Sequence, residues 1–219
     1  MTTVKRQEHP FGYLWALIRS AYYIVVLPCA LIIASITLII GFGSSYRYSL
    51  FSTDYVLLAL LWMVILVPLV YRRMSISSRR VKLRKIVSML TSTARFCPEH
   101  EILNAADGKY LGVDTKSGNI LYIRLVNKGS VDVIGLTMSD WANCELEGSM
   151  LRLYTKNPAS PVLSITAPPK VVRELLDVLV AMSHKGYSES FPKEPWPLHV
   201  GIQSRFVEFE HNVVVPQVQ

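Results

Sequence analysis

Two uncharged apolar segments in the first third of the chain constrain its fold more than any other feature. The first, residues 21–42, is AYYIVVLPCALIIASITLIIGF, and the second, residues 55–70, is YVLLALLWMVILVPLV. A membrane-spanning helix needs about 20 apolar residues, so the first segment is long enough and the second suffices if flanking side chains reach the interface. Because the loop between them is short, the sequence predicts a two-helix transmembrane hairpin over residues 21–71.

The charges that flank the two segments predict their orientation. Lys5, Arg6 and Arg19 precede the first segment and a basic cluster follows the second, whereas the connecting loop holds Arg47 and Asp54. Positive charge marks the cytoplasmic side of a membrane. Both termini are therefore predicted to be cytoplasmic, with residues 1–20 forming a cytoplasmic or interfacial N-terminus.

The basic cluster, YRRMSISSRRVKLRK, contains seven cationic residues and no acidic one. Next to a membrane, each charge gains roughly 1 kcal/mol near an anionic leaflet. A nucleic-acid site would be accompanied by stacking aromatics or a known reading module, and neither is present, so no nucleic-acid binding is expected. We predict contact with anionic lipid and leave contact with a protein partner open. The predicted residues are Arg72, Arg73, Arg79, Arg80, Lys82, Arg84 and Lys85.

Residues 72–100 are predicted to form a basic juxtamembrane helix and linker. Apolar residues recur at a spacing that permits an amphipathic helix, which either continues the second span or lies on the membrane surface. These residues are Val81, Leu83, Ile86, Val87 and Leu90.

From residue 101 to 187 the pattern changes to short alternating segments separated by Gly, Asn, Ser and Pro, which is typical of antiparallel strands. The segments are EILNA, KYLGVDT, ILYIRLV, VDVIGLT, DWANCELEG, SMLRLYT and PVLSITA. An amphipathic helix, PKVVRELLDVLVAMSHKG, follows them. The predicted fold class is α+β: the membrane hairpin plus a small antiparallel β-barrel or sandwich with a C-terminal capping helix, in the element order of a pleckstrin-homology-like (PH-like) domain. A two-layer α+β packing is the open alternative.

Residues 188–219 contain four prolines after position 191, which favours an extended Pro-rich arm over a long helix. The arm either packs back on the domain or engages a partner. Trp196 in this arm and Trp141 in the fifth strand are candidate partner-binding residues, although an aromatic residue in a small barrel usually lies in the core.

The sequence predicts no catalytic site, cofactor or metal. It contains no phosphate-binding loop of the Walker type, no H-E-x-x-H and no G-x-S-x-G. Cys97 and His100 are two potential metal ligands, but a structural zinc site needs four and no second pair stands at a suitable distance. We therefore expect a protein that is not an enzyme.

The two-span N-terminus followed by GKYLGVDTKSGNILYIRL, DWANCELEGSMLRLYTKNPASPVLSITAPPKVVRELL and HKGY resembles the entry exclusion proteins of I-type conjugative plasmids. The resemblance covers most of the chain and includes no catalytic motif. It implies a bacterial inner-membrane protein that blocks redundant transfer of a related plasmid by recognising a membrane protein of the conjugative transfer apparatus. A membrane-tethered PH-like adaptor that binds anionic lipid or a protein partner is the alternative, and self-association is left open.

Overall fold

The computed structural model describes residues 17–18, 20–43, 52–91, 95–127 and 129–216. The chain divides into two compact units, Met1–Ser75 and Ile76–Gln219. The predicted outer loop at residues 46–52 lies almost wholly outside the described residues, as do most of the N-terminal 20 residues and the last three.

The first unit contains two apolar helical segments. A π-helical turn at Tyr22–Val26 leads into helix α1, Leu27–Gly43, and helix α2 covers Ser52–Thr91. Small side chains bring the helices together, because Ala30 and Ala34 are buried in one cluster with Ile65. Within the described residues, one helical stretch, Leu58–Thr91, is long and apolar enough to cross a membrane, and a shorter apolar helix covers Tyr22–Thr37. The two-span hairpin stays a prediction.

The alternation predicts six or seven strands, and the second unit contains seven, including the weak candidate EILNA as β1. Strands β1 to β4 form one antiparallel sheet in chain order, and strands β5 to β7 form a second one. The strands are β1 His100–Asn104, β2 Lys109–Asp114, β3 Asn119–Asn127, β4 Ser130–Leu136, β5 Trp141–Glu147, β6 Met150–Thr155 and β7 Val162–Thr166.

The sheets do not close into a barrel within the described residues, so the structure has the sandwich form of the prediction and not the barrel form. The chain passes from the first sheet to the second between β4 and β5. There the Asp140 carboxylate accepts hydrogen bonds from the backbone N–H of Thr137 at 2.8 Å and from the Thr137 hydroxyl at 2.6 Å. This turn directs the chain from the first sheet into the second.

The strand β3 is buried on both faces, which explains its uninterrupted apolar run ILYI. Alternate side chains of a strand point to opposite faces. Ile120 and Tyr122 lie in an inner core shared by the two sheets, whereas Leu121 and Ile123 lie in an outer core on the other face. One four-stranded sheet therefore separates two apolar layers.

Helix α3, Pro169–Ser183, closes the inner core as predicted. Its buried residues are Val172, Leu175, Leu179 and Met182, and Leu176 packs against the same cluster. Pro169 stands at the first helical position, where a missing N–H costs no intrahelical bond.

The outer core corrects the predicted extended arm. Residues Trp196–His211 form a 16-residue helix, α4, that covers the four-stranded sheet together with the C-terminal part of α2. Pro195 lies at the N-cap and Pro197 in the first turn, so the prolines that suggested an arm instead begin a helix. Asn212 ends the helix in the left-handed conformation with a φ of 48°.

Candidate interaction surfaces

The basic cluster lies on helix α2, which continues without interruption from the apolar segment to Thr91. Six of the seven predicted residues are exposed and Lys82 is half-buried. Arg73, Arg80 and Arg84 follow one another at intervals of seven and four residues, a spacing that aligns them on one side of a helix. We call these three residues the basic stripe. Within the described residues none of them forms an ion pair, so the stripe presents uncompensated positive charge.

Two other members of the cluster have contacts of their own. The guanidinium of Arg72 lies over the ring of Tyr23 at 5.2 Å from its centroid. Arg79 donates a hydrogen bond to the backbone oxygen of Ala106 at 3.0 Å. Arg79 therefore ties α2 to the turn between the first two strands of the domain.

The amphipathic pattern of α2 is largely as predicted. Leu83, Ile86 and Leu90 are buried in the outer core, and Val87 packs against it. Val81 is 54% exposed, so its assignment to the apolar face was wrong. The end of α2 is thus part of the domain core rather than a free stalk.

A second surface lies on α4 and consists of large exposed apolar side chains. The exposed fraction is 51% for Leu198, 43% for Ile202, 63% for Phe206 and 92% for Phe209. Intervals of four, four and three residues place them along one side of the helix. We call these four residues the α4 stripe.

The opposite side of α4 packs on the four-stranded sheet. Its buried residues are Trp196, His199, Val200, Ser204 and Val207. The sequence carried the signal for both sides, since apolar residues recur at helical spacing from 196 to 209. The prolines at 192, 195 and 197 favour an extended arm and conflict with this periodicity.

A cleft beside the start of α4 contains a network of charged groups. Glu194 bridges two partners: Oε2 lies 3.2 Å from Nη1 of Arg95, and Oε1 lies 2.7 Å from Nδ1 of His199. Arg95 Nη1 also approaches His199 Nδ1 at 3.3 Å. When His199 Nδ1–H donates to Glu194, His199 Nδ1 and Arg95 Nη1 are both donors and cannot bond to each other. We therefore assign the hydrogen bond of Nδ1 to Glu194 Oε1, which is the shorter contact. The Arg95 guanidinium also lies over the ring of Phe191, 4.1 Å from its centroid.

The network favours the ionised form of Glu194. The hydrogen bond from His199 lowers the pKa of this carboxyl, the Arg95 charge lowers it further, and partial burial opposes both. His199 is 5% exposed, and its Nε2 has no hydrogen-bond partner within the described residues. We interpret the network as a structural link between the segment preceding α4 and the linker before β1.

The two tryptophans predicted as partner-binding candidates are both buried. Trp141 is 8% exposed in the inner core, and Trp196 is 3% exposed in the outer core. The indole of Trp196 stacks on Phe96 with centroids 4.9 Å apart. Their burial agrees with the core interpretation and leaves neither ring exposed to a partner, which corrects the surface assignment of both.

Within the described residues, no group of three or more His, Cys, Asp and Glu side chains could hold a metal ion. Cys97 is exposed and His100 stands at the first position of β1. Cys97 precedes β1 and His100 begins it, so both lie where the chain enters the sheet.

Together the fold and these surfaces define an α+β protein with a long apolar helix, an exposed basic stripe and an exposed apolar stripe. The model of the exclusion-determining protein family matches residues 4–219, so the chain belongs to this family, which is not a family of enzymes. This membership supports a role in entry exclusion and confirms the resemblance found in the sequence. No curated protein and no solved structure matches the chain.

Proposed function

We propose that this protein blocks redundant conjugative transfer from the bacterial inner membrane, by contact with a membrane protein of the donor's transfer apparatus. The observation that carries the proposal is its membership of the exclusion-determining family over almost the whole chain. Exclusion by contact needs a recognition surface and no reacting groups. This fits a chain that exposes the basic stripe and the α4 stripe.

The proposed location rests on the apolar helices. The stretch Leu58–Thr91 meets the length and hydropathy needed for a span, and residues 21–42 are an uncharged run of about 22 residues. With basic residues on both outer flanks, the positive-inside rule puts both termini and the β domain in the cytoplasm. The basic stripe would then lie on the side where anionic lipid head groups attract it.

The proposed topology leaves two routes for recognition. The donor's protein either meets the short outer loop around residues 46–52 or reaches the cytoplasmic domain. Alkaline phosphatase fused after residue 219 distinguishes the sides of the membrane, because the enzyme is active only outside the cytoplasm. Low phosphatase activity with normal protein level is expected, and high activity would overturn the proposed orientation.

Conjugation tests the function directly. Recipients that express the chain should receive the related plasmid at a frequency reduced by orders of magnitude, while an unrelated plasmid should transfer normally. Undiminished transfer of the related plasmid into recipients whose membranes contain the protein would reject exclusion. A loop replacement, with residues 46–50 changed to Gly and Ser, separates the two routes: lost exclusion with a stable protein assigns recognition to the loop.

The exposed charges of the basic stripe, which form no ion pair within the described residues, support a second candidate: a membrane-tethered adaptor that binds anionic lipid or a protein partner. The two candidates differ in what neutralisation of Arg73, Arg80 and Arg84 does. If exclusion persists after these changes while lipid binding is lost, lipid binding accompanies exclusion but is not its mechanism.

A further inference from the structure

The α4 stripe is an apolar surface that no other described part of the chain covers. Phe209 is 92% exposed and Phe206 is 63% exposed, and Ile202 lies on the same side of the helix. Contiguous exposed apolar side chains rimmed by polar residues mark an interaction site more often than an ordinary surface. The question is which molecule covers it.

The spacing within the stripe identifies the geometry of the contact. Ile202, Phe206 and Phe209 are separated by four and then three residues, the interval of the apolar seam in a two-stranded coiled coil. In heptad terms they occupy d, a and d. The preceding a position is His199, which is buried in the outer core, so the seam begins at Ile202.

The charges beside the seam identify the occupant. Arg205 directly precedes Phe206 at a g position, and Glu210 directly follows Phe209 at an e position, five residues later. In a parallel pair of helices, the g residue of one helix faces the e residue of the other at this separation. Within the described residues neither side chain forms an ion pair, and both are exposed.

We propose that α4 pairs in parallel with α4 of a second copy of this chain, through Ile202, Phe206 and Phe209. By two-fold symmetry, Arg205 of each copy faces Glu210 of the other, so one sequence supplies both halves of two ion pairs. An antiparallel pair would instead place the two Arg205 flanks side by side and the two Glu210 flanks side by side. The charge pattern therefore selects parallel pairing.

A seam of three layers is short, so the fraction of paired chains depends on the effective concentration of the two copies. Two chains confined to one membrane meet at a high effective concentration, which converts a weak contact into a populated one. This dependence rests on the proposed membrane location, whereas the geometry of the pairing does not. The test accordingly uses the full chain in native membranes.

Cysteine cross-linking measures the pairing directly. In a background with Cys29, Cys97 and Cys144 replaced by Ala, the change Phe206→Cys or Ile202→Cys should yield a disulfide-linked dimer when isolated membranes are treated with a mild oxidant. A seam residue of a parallel pair meets its own copy, so each variant should cross-link with itself. The control Glu174→Cys, exposed on α3, should stay monomeric.

Charge exchange then tests the assignment of the occupant. Arg205→Glu and Glu210→Arg should each reduce the Phe206→Cys cross-link several-fold, because each puts like charges opposite one another, and the double exchange should restore it. Dimer yield no higher than that of the Glu174→Cys control would overturn the proposal, as would a double exchange no better than the single changes. A cross-link to a different protein in place of the dimer would also overturn it.

The outcome is independent of exclusion activity. A chain that cross-links as described but does not block conjugation would overturn the proposed function and leave the pairing intact. Resistance of residues 76–219 to limited trypsin digestion, compared between variants, shows that each variant is folded. A folded variant with the expected loss of cross-linking supports the pairing.

Discussion

The indole N–H of Trp196 donates a hydrogen bond to the backbone oxygen of Ile120 across 3.0 Å, and this bond ties the first turn of α4 to an inner strand of the four-stranded sheet. Both groups are buried, and a buried indole N–H without an acceptor would lower the stability of the fold. Together with the stacking on Phe96, it fixes where α4 begins.

Trp196→Phe tests this anchor. Phenylalanine retains an aromatic ring against Phe96 but cannot donate to Ile120, so we expect the free energy of unfolding to fall by about 1 to 3 kcal/mol. Trp196→Ala also removes the ring and should cost roughly 3 to 5 kcal/mol. Chemical unfolding of the detergent-solubilised chain followed by circular dichroism measures both, and a Trp196→Phe variant as stable as the parent would contradict the anchoring role.

Gly135→Ala tests how closely α4 approaches strand β4. A Cβ at this position would lie 2.6 Å from Cγ2 of Val200 and 3.1 Å from the indole nitrogen of Trp196. Overpacking of this kind costs typically about 1 to 3 kcal/mol, so the variant should unfold at lower denaturant concentration.

The matched control for this change is Gly201→Ala. Nothing lies within 4 Å of a Cβ at Gly201, which is inside α4, so alanine should be neutral or stabilise the helix by up to about 1 kcal/mol. Val200→Ala in the Gly135→Ala background should recover part of the loss, because it removes the nearest methyl group. Equal effects of the two glycine changes would refute the close-approach argument.

Glu194→Gln tests the charge network at the cleft. Because the folded-state pKa of Glu194 lies below its ordinary value of 4.5, the ionised carboxylate contributes stability above that pH, and this contribution is lost as the pH falls through the lowered pKa. The variant should therefore be less stable than the parent at pH 7, and the difference should shrink below about pH 4.5. Thermal unfolding at a series of pH values measures the difference. The Glu174→Gln change, at an exposed position outside this network, serves as control and should cost less stability at pH 7.

Neutralising the basic stripe tests its contact with lipid. Arg80→Gln with Arg84→Gln removes two charges, each worth about 1 kcal/mol at an anionic surface, so partitioning should weaken by more than tenfold. Flotation of the compact unit 76–219 with vesicles containing phosphatidylglycerol measures the partitioning. Lys170→Gln with Lys193→Gln removes the same charge from exposed positions elsewhere and should have a smaller effect. Equal losses for the two pairs would indicate a general charge effect and no specific lipid contact.

Local sequence patterns were sufficient to predict most strands and helices of the second unit. The seven strands and helix α3 follow from alternation, turn residues and a helical apolar face, all of which act over a few residues. Helix α4 does not follow from the prolines of its segment, although its periodicity is visible. Pro195 and Pro197 would disfavour a helix interior but are compatible with a first turn. The position of a proline within an element is not evident until the element's start is known.

The sequence by itself determined the apolar character of the N-terminal segments, the excess of positive charge after them and the order of strands and helices, because these depend on composition and short-range spacing. Only the tertiary structure decided which apolar side chains are buried. Leu83 and Phe206 are both apolar residues of a helix, yet the first is fully buried and the second is 63% exposed. The reason is that burial depends on which surfaces the sheet brings together, and those surfaces come from segments more than 100 residues apart, as Leu83 and Val200 in the outer core show.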